Sequence, residues 1–415
     1  MLDRSTEAQS APNPRTRREI LRLTIGGALA TALAGCSTPE RLSAVPRGRA
    51  GSPTVLGLAN ERYYPWLPAQ GAALEREFLA SFERLYPSYE VSSRAKLPPY
   101  HVLSVSGGGE NGAFGAGLLC GWTEQGTRPT FQLVTGVSTG ALTAPFAFLG
   151  SAYDPQLRAV YTDTKQSDVL SERGLVAGVL FEDALADNLP LYKTISRYLN
   201  EEMMVAIARG YDEGRMLMIG TSDLDAQLPV MWNIGAIAKS GHPRALDTVR
   251  RILLASAAVP GAFPPVMFDV TLDGQPHQEM HVDGGAFVQA FLYPSVVTRS
   301  RRELMRKGQA TIPARAFVLR NARLDPEWAE VDRRTMGIAG RAISTMIAAS
   351  GYNDVLRMYA AAKRDGVDFN LAFIGPDFKE TLKEPFEQSF MRALFDYGYQ
   401  RGKRGYEWQK QPPVV

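Results

Sequence analysis

HVLSVSGGGENGAFGAGLLCGWTEQGTRPTFQLVTGVSTG, residues 101–140, is the stretch that decides how this chain is expected to fold. It contains two consecutive units of strand, glycine turn and helix. In the first unit an apolar run ends at Gly107-Gly108-Gly109, so backbone amides converge where a Gly- and Ala-rich helix begins. In the second, residues 131–137 have the pattern of a buried strand and end at Gly136-Val137-Ser138-Thr139-Gly140, a GxSxG. This is the sequence of a nucleophile elbow, a tight turn that presents a serine hydroxyl between a strand and a helix.

Strands alternate with helices through the rest of the chain, which predicts an α/β fold. We expect a single-domain three-layer sandwich with a largely parallel central sheet. The predicted organisation is a leader (1–35), a tether (36–53), an N-terminal cover segment (54–99), a catalytic core (100–300) and C-terminal strands and helices that complete the domain (301–415).

The leader has the features of an export signal. Thr16-Arg17-Arg18 resembles a twin-arginine motif, with the general secretory route as the alternative, and the apolar run that follows is shorter than the ~20 residues needed to span a bilayer. The run ends in Leu33-Ala34-Gly35-Cys36, which is similar to a bacterial lipobox. That resemblance implies that Cys36 becomes a lipidated N-terminus. The expected location is therefore a membrane, on the periplasmic face or in the outer membrane, with residues 36–53 as a flexible tether.

The composition is that of an ordinary soluble enzyme of 415 residues, 45% hydrophobic and 21% charged, with a net charge of +3. The leader contains five arginines and three acidic residues, so the remainder carries only +1 of that charge. No basic excess remains to indicate a nucleic acid partner. Besides Cys36 the chain has one cysteine, Cys120, which we expect to be a small core residue.

A serine nucleophile needs a base to accept its proton. The chain has four histidines, at positions 101, 242, 277 and 281, and the turn or strand context of the last three favours structural roles. Asp283 is the better candidate, because it ends a predicted strand and is followed by Gly284 and Gly285, which permit a sharp turn. In a parallel sheet Asp283 and Ser138 would both lie at strand carboxyl ends, where sites collect.

The triple glycine, the GxSxG and the Asp283-Gly284-Gly285 motif occur in the order seen in patatin-like phospholipases. The intervening segment ASAAVPGAFPP, residues 255–265, is also similar to that family. Over residues 101–289 the chain therefore resembles a patatin-like phospholipase, and with its lipobox it looks like a bacterial patatin-like lipoprotein.

The resemblance implies a Ser138–Asp283 dyad that hydrolyses acyl esters of lipids through an acyl-enzyme. It implies an oxyanion hole made by amides of the glycine loop, residues 107–109, and of Thr139. No metal or cofactor is predicted. The family commonly has Arg or Lys where this chain has Asn111, preceded by Glu110, so the charge of the loop and its contribution to phosphate binding are in question.

Two alternative functions stay open: a Ser-His-Asp esterase, and a non-catalytic surface lipoprotein that binds lipid or protein. Two segments have alternative placements. An amphipathic helix at about 72–86 is expected to pack on the core rather than on a membrane. The apolar residues after position 327, which include Ile338, Met346, Ile347 and Met358, are expected in the core rather than along a lipid channel.

Overall fold

The computed structural model describes residues 41–87, 96–169, 171–172 and 186–413. The predicted leader, the lipobox and Cys36 lie outside the described residues. Within the described part of the chain, no helix has both the length and the apolar character that crossing a membrane requires.

Eleven strands are described, nine of which form one sheet. In chain order they are β1 (Arg62–Tyr63), β2 (Tyr100–Val105), β3 (Leu133–Val137), β4 (Ser171–Glu172), β5 (Ala186–Asp187), β6 (Met216–Asp223), β7 (Leu228–Asn233), β8 (Val266–Leu272), β9 (Gln275–Asp283), β10 (Ala314–Arg320) and β11 (Asp368–Phe373). The sheet order is β1-β7-β6-β3-β2-β10-β11, with β9 on β6 and β8 on β9, while β4 and β5 form a separate pair.

The centre of the sheet is parallel, as predicted. β6, β3, β2, β10 and β11 run in one direction, whereas β7 and β9 pair antiparallel with β6. The carboxyl ends of the five parallel strands therefore define one edge of the sheet, which we call the site edge.

The described helices lie between these strands. They are α1 (Pro68–Leu85), α2 (Gly112–Gln125), α3 (Thr139–Leu149), α4 (Asp154–Thr162), α5 (Leu189–Tyr198), α6 (Glu201–Asp212), α7 (Ile234–Lys239), α8 (Ala245–Ser256), α9 (Arg299–Arg306), α10 (Thr335–Arg364) and α11 (Gln388–Lys403).

Two hydrophobic cores lie on opposite faces of the sheet. Leu103 and Val105 of β2 belong to one core and Val102 to the other, because successive strand side chains point to opposite faces. Helices α2, α3 and α11 cover the first face, and α1 with the second half of α10 covers the other. The molecule is therefore a helix–sheet–helix sandwich, and the expected fold class is confirmed. Helix α1 lies on the core, with Leu74 fully buried.

Two expectations about chain segments were wrong. The described part of the predicted flexible tether is held against the body: Arg41 donates two hydrogen bonds to Asp225, at 2.9 and 2.7 Å, and Ala44 bridges to Gln278. The apolar residues after position 327, expected in the core, lie on one continuous helix, α10, whose first half is exposed instead of buried. Ile338 and Met346 are 54% and 70% exposed, whereas Met358 is buried.

Candidate active site

Ser138 occupies the turn between β3 and α3, at the site edge. Its φ is +56°, a conformation that L-residues rarely adopt and that marks strained turns at functional sites. The Ser138 N–H donates to the hydroxyl of Ser256 at 3.0 Å, and that hydroxyl donates to the Gly220 carbonyl at 2.6 Å. Ser256 therefore links the strained turn to the neighbouring strand β6.

The last glycine of the GxSxG is required by the packing of α3 against β2. A Cβ atom at Gly140 would overlap the backbone carbonyls of Val105 and Ser106. The motif thus lets the first turn of α3 approach the loop that follows β2, so the elbow and the glycine loop share one site.

Asp283 ends β9 beside the elbow. Its backbone N–H donates to the Ala258 carbonyl at 2.9 Å, two residues after Ser256. The end of α8 and the residues just after it therefore hydrogen-bond to both Ser138 and Asp283. Its carboxylate Oδ1 accepts from the Gly285 N–H at 2.6 Å, whereas Oδ2 is buried and accepts no hydrogen bond of standard geometry. This arrangement leaves one carboxylate oxygen available for a proton.

The environment of Asp283 raises its pKa to about 7. The largest cause is burial, which disfavours the carboxylate; the Ser138 hydroxyl and the Gly285 N–H lower the pKa, but by less. The Ser138 hydroxyl is therefore near enough to this carboxyl to lower its pKa, although no hydrogen bond of standard geometry joins the two side chains. A carboxyl with a pKa near neutrality can both accept and return a proton at pH 7.

The glycine loop presents free backbone donors beside Ser138. Among the residues that the structure describes, the N–H groups of Gly108, Gly109 and Thr139 have no hydrogen-bond partner in the protein. At Gly108 the φ is +156°, and a Cβ atom there would overlap the Asn321 carbonyl, so only glycine fits. These three donors can receive a developing oxyanion.

Gly107 was predicted to donate its N–H to the oxyanion hole, and this prediction is wrong. The Gly107 N–H donates to the Gln289 carbonyl at 2.9 Å and is not free. A Cβ atom at Gly107 would press on Gln289 and on Cβ of Ser138. The residue therefore allows the loop to lie close to the nucleophile.

Two amide side chains hold the glycine loop in place. Asn321 donates from Nδ2 to the Ser106 carbonyl at 2.9 Å and accepts from the Gly115 N–H at 3.1 Å. Gln289 donates from Nε2 to the Gly285 carbonyl at 2.9 Å, and its own N–H donates to Asp354 of α10 at 2.6 Å. The loop, the turn after Asp283 and α10 are thus joined at the site edge.

The first turn of α3 is fixed from the opposite side. The Tyr161 hydroxyl lies 2.7 Å from Oγ1 of Thr139 and 2.8 Å from Oγ1 of Thr143. These contacts fix the orientation of α3 so that its amino end faces the site, where its partial positive charge favours an oxyanion.

None of the four histidines contacts Ser138. His281 is fully buried, with Nδ1 at 2.9 Å from Oγ1 of Thr221 and Nε2 at 3.2 Å from Glu279. His242 accepts from the Arg244 N–H, and Nδ1 of His277 lies 3.2 Å from the Ala44 carbonyl. His101 packs beside an aromatic ring at the opposite end of β2. The structure brings Asp283, and not a histidine, to the serine.

A buried cluster beneath the site contains possible metal ligands. Single ligand atoms of Asp223, Glu279 and His281 lie within 4.8 Å of one another. However, Arg62 already pairs with Glu279 and, despite burial, lowers its pKa to about 2, while Tyr64 donates to Asp223 at 3.0 Å. All three side chains therefore already have protein partners, and the cluster supports β9.

Residues 103–292 match the sequence model of the patatin-like phospholipase family. The chain carries a patatin-like phospholipase domain. It is therefore an enzyme of the lipid acyl hydrolase class. Among solved structures, the chain is similar to VipD from Legionella pneumophila, at 10% identity and a TM-score of 0.34, over 74% of this chain and 67% of that one. No curated protein matches the chain.

The patatin-like domain differs from the common family pattern at Glu110-Asn111. Both residues lie in the short 3-10 turn Gly109–Asn111, and burial raises the pKa of Glu110. A buried cation close to this loop is Arg320 at the end of β10, whose Nη1 lies 3.4 Å from Oγ of Ser106. Burial lowers the pKa of Arg320 to about 10.

Sequence reasoning missed the residues that position the patatin-like site. Ser256 lies in residues 255–265, whose similarity to the family was noted, so the sequence indicated that this segment matters. Nothing in the sequence indicated that Ser256 hydrogen-bonds to the Ser138 N–H. Gln289, Asn321 and Asp354 are polar residues in unremarkable contexts. Only the fold brings them to the site edge.

Proposed function

We propose that this protein is a membrane-anchored serine acyl hydrolase that cleaves lipid esters, of the phospholipase A or lysophospholipase type, with Ser138 and Asp283 as a catalytic dyad. One observation carries the proposal: a strained, buried serine lies beside a carboxyl of raised pKa and three unpartnered backbone amides. This combination suits nucleophilic acyl transfer.

In the first step Oγ of Ser138 attacks the ester carbonyl carbon while its proton passes to Asp283. The carbonyl oxygen becomes an oxyanion that accepts hydrogen bonds from Gly108, Gly109 and Thr139. Each such donor contributes about 3 kcal/mol of transition-state stabilisation. The alcohol then leaves with the proton from Asp283, and the acyl group remains on Ser138.

In the second step water attacks the acyl-enzyme. Asp283 accepts a proton from the water, the same amides stabilise the second oxyanion, and the proton returns to Oγ as the fatty acid leaves. A positioned base of this kind accelerates each step by roughly 10²- to 10⁴-fold.

A small apolar cavity of about 40 Å³ lies beside α3, on the side from which the acyl chain of a lipid ester would reach Ser138, and it must widen to hold the chain. Its walls include Leu142 and Phe146 of α3, Ile195 of α5 and Leu253 of α8. Leu142 follows Ser138 by one helical turn and Leu253 precedes Ser256 by about one turn, so both walls lead toward the nucleophile. Apolar walls beside a polar reaction centre are typical of lipid sites.

We further propose that a lipid on Cys36 anchors the enzyme with the site edge near the membrane. Arg41 is tied to Asp225, which lies in the turn after β6 at that edge. Arg41 lies five positions after Cys36, a reach of at most about 18 Å. A Cys36→Ser substitution should move the protein from the membrane fraction to the soluble fraction; membrane retention equal to that of wild type would count against lipidation.

The hydrolase proposal is tested with a fluorophosphonate probe, followed by detection of fatty acid released from phosphatidylcholine, lysophosphatidylcholine and monoglyceride. Wild type should be labelled and should release fatty acid, whereas Ser138→Ala should do neither. A folded wild-type protein that takes no label and releases nothing would support the non-catalytic alternative.

A further inference from the structure

The first half of α10 projects beyond the body of the protein. Asp354 holds α10 to Gln289, and a Cβ atom at Gly351 would overlap the guanidinium of Arg320, so the helix crosses the site edge at residues 351–354. After this crossing Val355 and Met358 pack into the core. Residues 335–350, the projecting segment, lie on the other side of the crossing and extend about 24 Å.

The projecting segment is exposed yet almost uncharged. Its sequence is TMGIAGRAISTMIAAS, with Arg341 as its single charged residue. Ile343 and Met346 are 51% and 70% exposed. Contiguous exposed apolar surface on a folded protein marks an interaction site, since isolated domains rarely leave it uncovered.

The segment is amphipathic. At 100° per residue, Ile338, Ile343, Met346 and Ile347 fall within one half of the helix circumference. The opposite half carries Gly337, Arg341, Ser344, Thr345 and Ala348. A broad face of large apolar side chains opposite a face of small residues suits a helix that lies in a lipid interface.

Two exposed tryptophans share this edge. Trp328, 88% exposed, follows Glu327, whose carbonyl accepts a hydrogen bond from Arg341 of the projecting segment. Trp66, 63% exposed, packs on Phe287, with the two ring centroids 4.5 Å apart. Phe287 lies just after the turn that contains Asp283. Tryptophan is favoured at membrane interfaces because its ring is apolar and its N–H is polar.

We infer that the projecting segment docks on a zwitterionic lipid surface and holds the site edge against it. This inference rests on the proposed function, because the lipid surface also supplies the ester. Residues 323–341 carry four acidic residues and four arginines, so their net charge is zero. Arg323 and Arg334 pair with acidic neighbours in this stretch. A surface without net charge suits zwitterionic lipid and gives no attraction to an anionic surface. A second copy of the chain packed on the helix would cover only one side of it. A lipid surface would cover the apolar face of the helix and the two exposed tryptophans together, so lipid accounts for more of the exposed apolar surface.

The test places an environment-sensitive NBD fluorophore on the projecting segment of the full chain. Met346→Cys reports the apolar face and Ser344→Cys is the matched control on the opposite face. Both carry Cys36→Ser, which removes the other reactive thiol, and Ser138→Ala, which prevents hydrolysis. Cys120 is buried and stays unlabelled.

On addition of phosphatidylcholine vesicles, emission at position 346 should shift to the blue and rise at least twofold, with a much smaller change at 344. Unchanged emission at 346 in protein that sediments with the vesicles would overturn the inference, as would failure to sediment. Emission already shifted without lipid, in a protein that elutes as a dimer, would assign the surface to a second copy and also overturn it.

A second measurement separates docking from catalysis. The double variant Ile343→Asp/Met346→Asp should hydrolyse a soluble p-nitrophenyl ester at the wild-type rate. Its rate of hydrolysis of phosphatidylcholine vesicles should fall at least tenfold. Ser344→Asp/Ala348→Asp adds the same charge to the opposite face and should retain both activities. Equal loss in both variants would contradict the docking role, whereas a wild type inactive on every ester would contradict the proposed function and leave the fluorescence result standing.

Discussion

Replacing Asp283 with asparagine should stabilise the protein while it abolishes turnover. Burial raises the pKa of Asp283 to about 7, from an ordinary value of 3.8. One pKa unit corresponds to 1.36 kcal/mol, so the raised pKa of this carboxyl costs the folded state about 4 kcal/mol at pH 8 and about 1.7 kcal/mol at pH 5. The sign follows from the raised pKa: the stability contribution of Asp283 is complete below pH 4 and is lost as the pH rises through 7.

Asparagine does not ionise, and its Oδ1 can still accept from Gly285. The stability difference between Asp283→Asn and wild type should therefore favour the variant, and should be about 2 to 3 kcal/mol larger at pH 8 than at pH 5. Urea unfolding at the two pH values measures it. The control is Asp365→Asn: although burial raises the pKa of Asp365, hydrogen bonds from Arg364 and Thr298 lower it further, so this variant should lose stability at pH 8. An Asp283→Asn protein less stable than wild type at pH 8, or a difference independent of pH, would refute the reasoning.

Four further outcomes are expected. In wild type kcat/KM should rise about tenfold per pH unit below about 7 and then level off, since Asp283 must be ionised to act as the base; a profile flat from pH 5 to 8 would contradict this. His281→Gln should cost about 1–3 kcal/mol in urea unfolding, because Glu279 loses a buried partner, yet retain fluorophosphonate labelling; loss of labelling in folded protein would favour the histidine alternative. Ser256→Ala leaves the Ser138 N–H and the Gly220 carbonyl without their partner, so stability should fall by about 1–3 kcal/mol and kcat by at least tenfold, and an unchanged kcat would argue against its positioning role. Gly108→Ala should lower kcat about 10²-fold with little change in fold by circular dichroism, since the loop donors shift; full activity would exclude this oxyanion loop.

The parts of the fold that local sequence specifies were predicted. Strand–turn–helix patterns around the triple glycine and Ser138 follow from periodicity and glycine placement, and they gave the parallel sheet and the edge where the site lies. Asp283 could be proposed because Gly284 and Gly285 mark a turn at a strand end. These features depend on neighbours in sequence.

The features that sequence reasoning missed depend on contacts distant in sequence. The Gly107 amide is occupied by the carbonyl of Gln289, a partner 182 residues away that no local pattern indicates. Ile338 and Met346 were expected in the core because large apolar residues are usually buried. However, α10 continues past the end of the sheet, so more than half of each side chain stays exposed. The tether was predicted from Pro and Gly content, whereas the contact of Arg41 with Asp225 is set by the fold.

The central claim is that Ser138 carries the acyl group during turnover and that Asp283 is its base. Acid-quenched reactions with a p-nitrophenyl ester, digested and analysed by peptide mass spectrometry, test it directly. We expect the mass of one acyl group on the peptide containing Ser138 in wild type and in His281→Gln, and no such adduct in Asp283→Asn. An acyl group on another residue, or normal turnover by Ser138→Ala, would contradict it.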